Sequence, residues 1–223
     1  NDPDNISTVR DIALMSKYLI KNYPDFYELF KEKTFTWDRT GGDPITQGNR
    51  NPLLYKNVGV DGVKTGYLAV EKYSLASSMK KNERRVIAVA SGFETKNLRS
   101  SESLKLLSWG FRNTNTLEIS KVNQSMFEID TWLGKKNKIK ATSKEDYYIT
   151  IDKKDIRHLT VSLNYSGPVN APIQKGDRVA ELVIKKNDEV IKTLPLFAVE
   201  DLKKVNFFKS LITSINYLIW GDV

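Results

Sequence analysis

The residues whose types and spacing speak most directly to chemistry are Lys64, Thr65 and Gly66. A lysine ammonium at the mouth of a cleft attracts a carboxylate, and a threonine hydroxyl can bond the same group. A glycine beside them lets a peptide lie close against the chain and pair with it as an added strand. The three sit in the run Val60-Asp61-Gly62-Val63-Lys64-Thr65-Gly66-Tyr67. Val58, Val60 and Val63 are β-branched and glycines punctuate the run at 59, 62 and 66, which predicts a short strand bounded by turns. On such a strand Lys64 and Gly66 share one face and Thr65 takes the other, unless the strand twists or bulges. Average residue usage supplies this triplet by accident in roughly one chain of this size in twenty. Its flanks therefore decide what it means.

Those flanks extend in both directions. Downstream lie Lys72-Tyr73-Ser74-Leu75-Ala76-Ser77-Ser78 and Arg85-Val86-Ile87-Ala88-Val89-Ala90-Ser91-Gly92, which read as a hairpin. Arg99-Ser100-Ser101-Glu102-Ser103 and Leu106-Leu107-Ser108-Trp109-Gly110-Phe111 follow. Upstream are Ser7-Thr8-Val9-Arg10-Asp11-Ile12-Ala13-Leu14-Met15 and Asn49-Arg50-Asn51-Pro52-Leu53-Leu54. Over nearly the whole length, with gaps, these segments resemble the serine-type D-alanyl-D-alanine carboxypeptidases, the low-molecular-mass penicillin-binding proteins. In that family S-x-x-K, S-x-N and K-T-G occur in that order, and the first serine attacks the peptide bond between two D-alanines. The resemblance implies that Lys64 and Thr65 hold the substrate carboxylate and that Arg99 lies near it. Arg50 falls on the loop beside the site and Tyr67 lines the cleft. For Arg99 the alternative is a solvated arginine at a helix start. Leu68 takes a place that the family often gives to threonine.

The first two motifs of the family are not found ahead of Lys64. Ser77-Ser78-Met79-Lys80 and Ser78-Met79-Lys80-Lys81 match S-x-x-K in letters, but they come after K-T-G and read as strand. A nucleophilic serine with its lysine one turn away needs a helix. Ser162-Leu163-Asn164 and Ser214-Ile215-Asn216 match S-x-N only in letters and lie in the wrong part of the chain. No catalytic residue is therefore assigned here. The chain, which starts at Asn1 and shows no secretory signal, looks like the C-terminal part of a longer enzyme whose upstream part carries the nucleophile.

The elements that must position the triplet follow from hydrophobic spacing. Ser7 or Thr8 caps a predicted helix to about Asn22, with Ile12, Met15, Leu19 and Ile20 on one stripe. Pro24 opens a short helix through Phe30. Residues 38–52, rich in Gly, Asp, Pro and Asn, read as a loop. Leu98, Leu104, Leu107 and Phe111 predict a helix over about 97–112. From about 114 the period becomes two, at Leu117-Ile119-Val122, 148–151, 159–163 and 179–184, with turns at Gly134, 166–168, 175–177 and 186–188. That predicts a small β-sandwich. The expected fold is α/β (a partial β-lactamase/transpeptidase-like domain, 1–113), then an all-β sandwich domain (114–202), then a C-terminal amphipathic helix (203–223).

That last segment places Phe207, Phe208, Leu211, Ile212, Ile215, Leu218 and Ile219 on a broad apolar face. It is too short to span a bilayer but long enough to lie in its interface. It anchors the protein at a membrane, as the resemblance implies, or docks on its own β domain. A net charge of +8 raises nucleic acid as a partner, but the lysines are spread and no nucleic-acid motif appears. The lone His158 cannot build a metal site, and no cysteine is present, so no metal or organic cofactor is expected. The resemblance implies peptidoglycan stem peptides as substrates, β-lactams as inhibitors, the membrane surface through 205–220 and the upstream part of the same polypeptide as partners. It also implies a peripheral location on the periplasmic side of the bacterial inner membrane. The alternative function is a non-catalytic, membrane-associated binding module of the cell envelope.

Overall fold

The structure, a computed structural model, describes residues 6–124 and 126–221. The chain divides into two units, residues 1–114 and 115–223.

In the first unit, helix α1 spans Val9–Asn22. Its start is fixed by a reciprocal cap: Asp11 N–H donates to Thr8 Oγ1 at 3.1 Å, and Thr8 N–H donates to the Asp11 carboxylate at 3.2 Å. Pro24 opens the short α2 (Pro24–Tyr27), which continues as a 3-10 turn over Glu28–Lys31. A hairpin follows, β1 (Thr34–Trp37) with β2 (Ile45–Gly48), so the predicted loop contains a strand. Its signal is weak in the sequence because each strand is only four residues long, and Thr34-Phe35-Thr36-Trp37 alternates without burying its aromatic face. A 3-10 turn over Pro52–Lys56 leads to β3 (Val60–Leu68), β4 (Lys72–Lys81) and β5 (Arg84–Phe93). Helix α3 (Lys96–Asn113) closes the unit.

The three strands form one antiparallel sheet in the order β3-β4-β5, so β3 is an edge strand. Both faces of the sheet are covered. One packs Leu75, Met79 and Ala88 with Leu53 and with Leu107 of α3. The other packs Val63 and Ala76 with Tyr27, against Ile12, Leu19 and Ile20 of α1 and against Phe30. Lys64 lies opposite Ala76 and Thr65 opposite Leu75, with a register shift between Val60 and Gly62. The α1 side also carries an apolar groove of about 970 Å³, lined by Ile12, Met15, Leu19, Tyr23, Val63 and Ala76 among others.

The second unit is built of sheet. Its strands are β6 (Thr114–Ser120), β7 (Phe127–Trp132), β8 (Lys138–Thr142), β9 (Tyr147–Asp152), β10 (Leu159–Asn164), β11 (Val169–Asn170), β12 (Arg178–Lys186) and β13 (Glu189–Ala198). Six run in the order β10-β12-β13-β8-β7-β11, and β6 pairs with β9. Their core joins Ile129, Ile139, Leu182, Leu196 and Leu202. The period-two pattern finds β6, β9, β10 and β12. It misses β7, β8, β11 and β13: β7 and β8 alternate but are short, β11 is two residues, and Pro195 interrupts β13.

Helix α4 (Phe207–Trp220) starts at an Asn206 cap and ends at Gly221 with φ 68°. It meets the sheet through its more polar side. Lys209, Thr213 and Tyr217, spaced four apart, line a cavity of about 680 Å³ with Trp132 and Tyr165. The Tyr217 and Trp132 rings meet edge-on at 4.9 Å. The apolar side stays open: Phe207, Phe208, Leu218 and Trp220 are 75–86% exposed.

Leu107 is fully buried in the core under β4 and β5. Leu107→Ala should lower unfolding stability by about 2–5 kcal/mol, read as a fall in the denaturant midpoint without change of slope. An unchanged midpoint would contradict this packing.

Candidate active site

The edge strand β3 is the frame of the site. One of its edges pairs with β4, and the other is unpaired among the described residues. An edge of this kind offers alternating N–H and C=O groups to an extended peptide. Gly66 is needed for an internal reason as well: a Cβ there would run into Ser74 Oγ on the neighbouring strand.

A loop pinned by two asparagines leads into the strand. Asn49 Nδ2 donates to Glu32 O at 2.9 Å, and its Oδ1 accepts from Asn51 N. Asn51 is fully buried. Its Nδ2 donates to Gly62 O at 3.0 Å, and its Oδ1 caps Leu53 N at 3.1 Å. Arg50, exposed between them, is thereby held next to β3.

Lys64, Thr65, Gly66, Tyr67, Arg50 and Arg99, all named from the sequence, line one cavity of about 720 Å³ together with Tyr73 and Lys96. Four of these eight residues are cationic and none is acidic. The Lys64 ammonium is exposed and donates to its neighbour's carbonyl, Thr65 O, at 3.0 Å. Tyr67 faces Tyr73 across the β3–β4 pair, with ring centroids 4.6 Å apart. Lys96 stands one helical turn before Arg99, at the start of α3 behind the Thr95 cap. Tyr73 and Lys96 were missed from sequence; a cross-strand aromatic pair and the i,i+3 spacing were their available signals.

Arg99 is not a solvated arginine. It is 6% exposed, its guanidinium lies over the Tyr73 ring at 5.6 Å, and Nη2 donates to Arg50 O at 3.4 Å. Its buried Nε has no hydrogen-bond partner among the described residues. Burial lowers its pKa from the ordinary value, with Tyr73 acting in the opposite sense. A buried guanidinium with an unused donor is a group that an anion would satisfy.

Ser77 and Ser78 are fully buried in the middle of β4. Ser77 Oγ donates to Ala88 O at 3.0 Å, Ser78 Oγ accepts from Arg85, and Lys80 pairs with Glu83 at the outer turn. These side chains are bonded elsewhere and do not line the cavity.

Comparison with known proteins gives the same picture from two sides. Residues 1–95 match the D-alanyl-D-alanine carboxypeptidase family model, and residues 115–204 match that of the penicillin-binding protein 5 C-terminal domain. The chain is 35% identical over 208 residues to D-alanyl-D-alanine carboxypeptidase DacC of Escherichia coli, covering 92% of this chain and 51% of the relative. It is 35% identical to DacF of Bacillus subtilis, covering 92% and 53%. The crystal structure of penicillin-binding protein 5 from Haemophilus influenzae superposes with a TM-score of 0.79 at 31% identity, over 92% of this chain and 59% of that one. The chain thus spans about half the length of the curated relatives it matches. Sequence, fold and cleft together place the chain in the D-alanyl-D-alanine carboxypeptidase family, the low-molecular-mass penicillin-binding proteins.

Proposed function

We propose that this chain is the substrate-binding part of a serine-type D-Ala-D-Ala carboxypeptidase that trims the terminal D-alanine from peptidoglycan stem pentapeptides. The observation that carries this reading is the cavity beside the open edge of β3, with four cations and no acid, one of the cations being the buried Arg99 whose Nε has no hydrogen-bond partner among the described residues. The stem peptide pairs with the free edge of β3. Its terminal carboxylate is held by Lys64 and Thr65, with Arg99 behind them and Arg50 at the loop. A nucleophilic serine from the part of the family's length outside this chain attacks the carbonyl, D-alanine leaves, and water releases the trimmed peptide. Lys64 and Thr65 also steady the charge that develops. β-Lactams, which mimic the D-Ala-D-Ala end, acylate the same serine. The apolar groove beside α1 is where the remaining half of the domain packs; an open apolar surface of this kind normally has a partner.

The second unit holds the enzyme at the periplasmic face of the inner membrane. Support for this comes from α4, which uses Lys209, Thr213 and Tyr217 toward its sheet and leaves its apolar side uncovered. Among the described residues no helix is long and apolar enough to cross a membrane, and an interfacial helix does not need that length.

Two outcomes are expected. In the full-length enzyme, Lys64→Ala should lower kcat/KM on D-Ala-D-Ala peptides about a hundredfold; near-normal turnover would refute its role. Removal of residues 205–223 should abolish co-flotation with lipid vesicles, and undiminished flotation would rule out the anchor.

A further inference from the structure

One charged cluster has no part in the chemistry above. Tyr27 of α2, Asp61 of β3, Ser78 of β4 and Arg85 of β5 converge on a single carboxylate oxygen or its immediate neighbour. Tyr27 Oη donates to Asp61 Oδ1 at 2.8 Å, and Arg85 Nη1 donates to the same oxygen at 2.7 Å. Arg85 Nη1 also reaches Ser78 Oγ at 2.6 Å, and the guanidinium stands over the Tyr27 ring at 5.2 Å. Tyr27 is 4% exposed and Ser78 fully buried, while the Asp61 and Arg85 side chains are each about three-quarters buried. Burial pushes the Tyr27 hydroxyl pKa well up. Burial is the strongest single influence on Arg85 and works against its charge, but the hydrogen bond and charge attraction to Asp61, with smaller help from Tyr27, together leave its pKa raised.

The position of the cluster matters more than its strength. A partly buried ion pair contributes little net stability, because desolvation offsets the attraction; an apolar group of similar volume serves stability as well. What such a pair can do is fix a register. Asp61 lies at the register shift between Val60 and Gly62, three residues before Lys64. The same Tyr27 hydroxyl would stand 2.6 Å from a Cβ at Gly62, so the ring seats against the bare backbone there. Beyond this point β4 is the only strand paired with β3 among the described residues, because its other edge is open.

We propose that Tyr27, Asp61 and Arg85 are positioning residues: they fix the start of the edge strand so that Lys64 and Thr65 meet the ligand carboxylate. The proposal rests on the carboxylate-binding reading of the cleft. It predicts that loss of the cluster damages recognition of the carboxylate more than it damages the fold or the acylation chemistry.

The test uses the full-length enzyme and two β-lactam probes, a penicillin with its free carboxylate and the neutral methyl ester of the same penicillin. Second-order acylation rates are measured for wild type, Asp61→Asn, Arg85→Lys and Tyr27→Phe, with melting temperatures alongside. The wild type should prefer the free acid. Asp61→Asn should slow acylation by the acid about ten- to a hundredfold while changing the ester rate less than about threefold. Arg85→Lys, which keeps the charge, should retain more of the preference than Asp61→Asn does. Tyr27→Phe removes one hydrogen bond and no charge, so it remains informative if Asp61→Asn does not fold; it should reduce the preference several-fold. Equal losses for acid and ester, or a lowered melting temperature with the preference intact, would overturn the positioning role. A wild type that acylates but does not discriminate acid from ester would overturn the carboxylate-binding reading, and the positioning role with it.

Discussion

An edge strand can receive a peptide only if one side of its backbone stays unpaired, and then its geometry must be held from elsewhere. That constraint organises the first unit. β4 supplies the one regular partner of β3, Asn51 grips the Gly62 carbonyl, and the Tyr27–Asp61–Arg85 cluster sits at the strand's irregular start. α1 and α3 cover opposite faces of the sheet and leave the β3 edge open. The glycines serve this arrangement twice, at Gly62 beneath Tyr27 and at Gly66 beside Ser74.

The electrostatics follow from the same geometry. Arg50, Lys64, Lys96 and Arg99 arrive from a loop, a strand and a helix start, with no acid among the lining residues. Lys64 and Lys96 are exposed and cheap to keep charged, whereas Arg99 is buried at a cost. A protein bears such a cost where a ligand returns it. In the carboxylate-binding reading proposed above, the rim cations would draw in an anionic peptide end, and the buried guanidinium would meet the carboxylate once it is seated.

Local pattern made much of this legible in the sequence. The strand over K-T-G, the hairpin after it, the capped first helix and the 97–112 helix all have strong short-range signals, and each is present. The position of Ser77 and Ser78 within a strand was legible for the same reason. What could not be read depends on contacts far apart in sequence. The burial of Arg99 follows from its packing against Tyr73 and the Arg50 loop, and the grip of Asn51 on Gly62 crosses eleven positions. The β1–β2 hairpin puts Phe35 and Trp37 on one face, but that face is exposed and each strand is only four residues long, so the signal is weak. β7 and β8 do alternate, turning Ile129, Ile139 and Ala141 into the core, but each is only five or six residues long, so the local signal is short.

The central claim is that this chain builds the carboxylate-binding wall of a site whose nucleophile lies elsewhere in the polypeptide. Peptide mapping of the full-length enzyme after labelling with a fluorescent penicillin tests it most directly. The account predicts the covalent adduct on a serine outside these 223 residues. An adduct on any serine within them, Ser77 and Ser78 included, would contradict it.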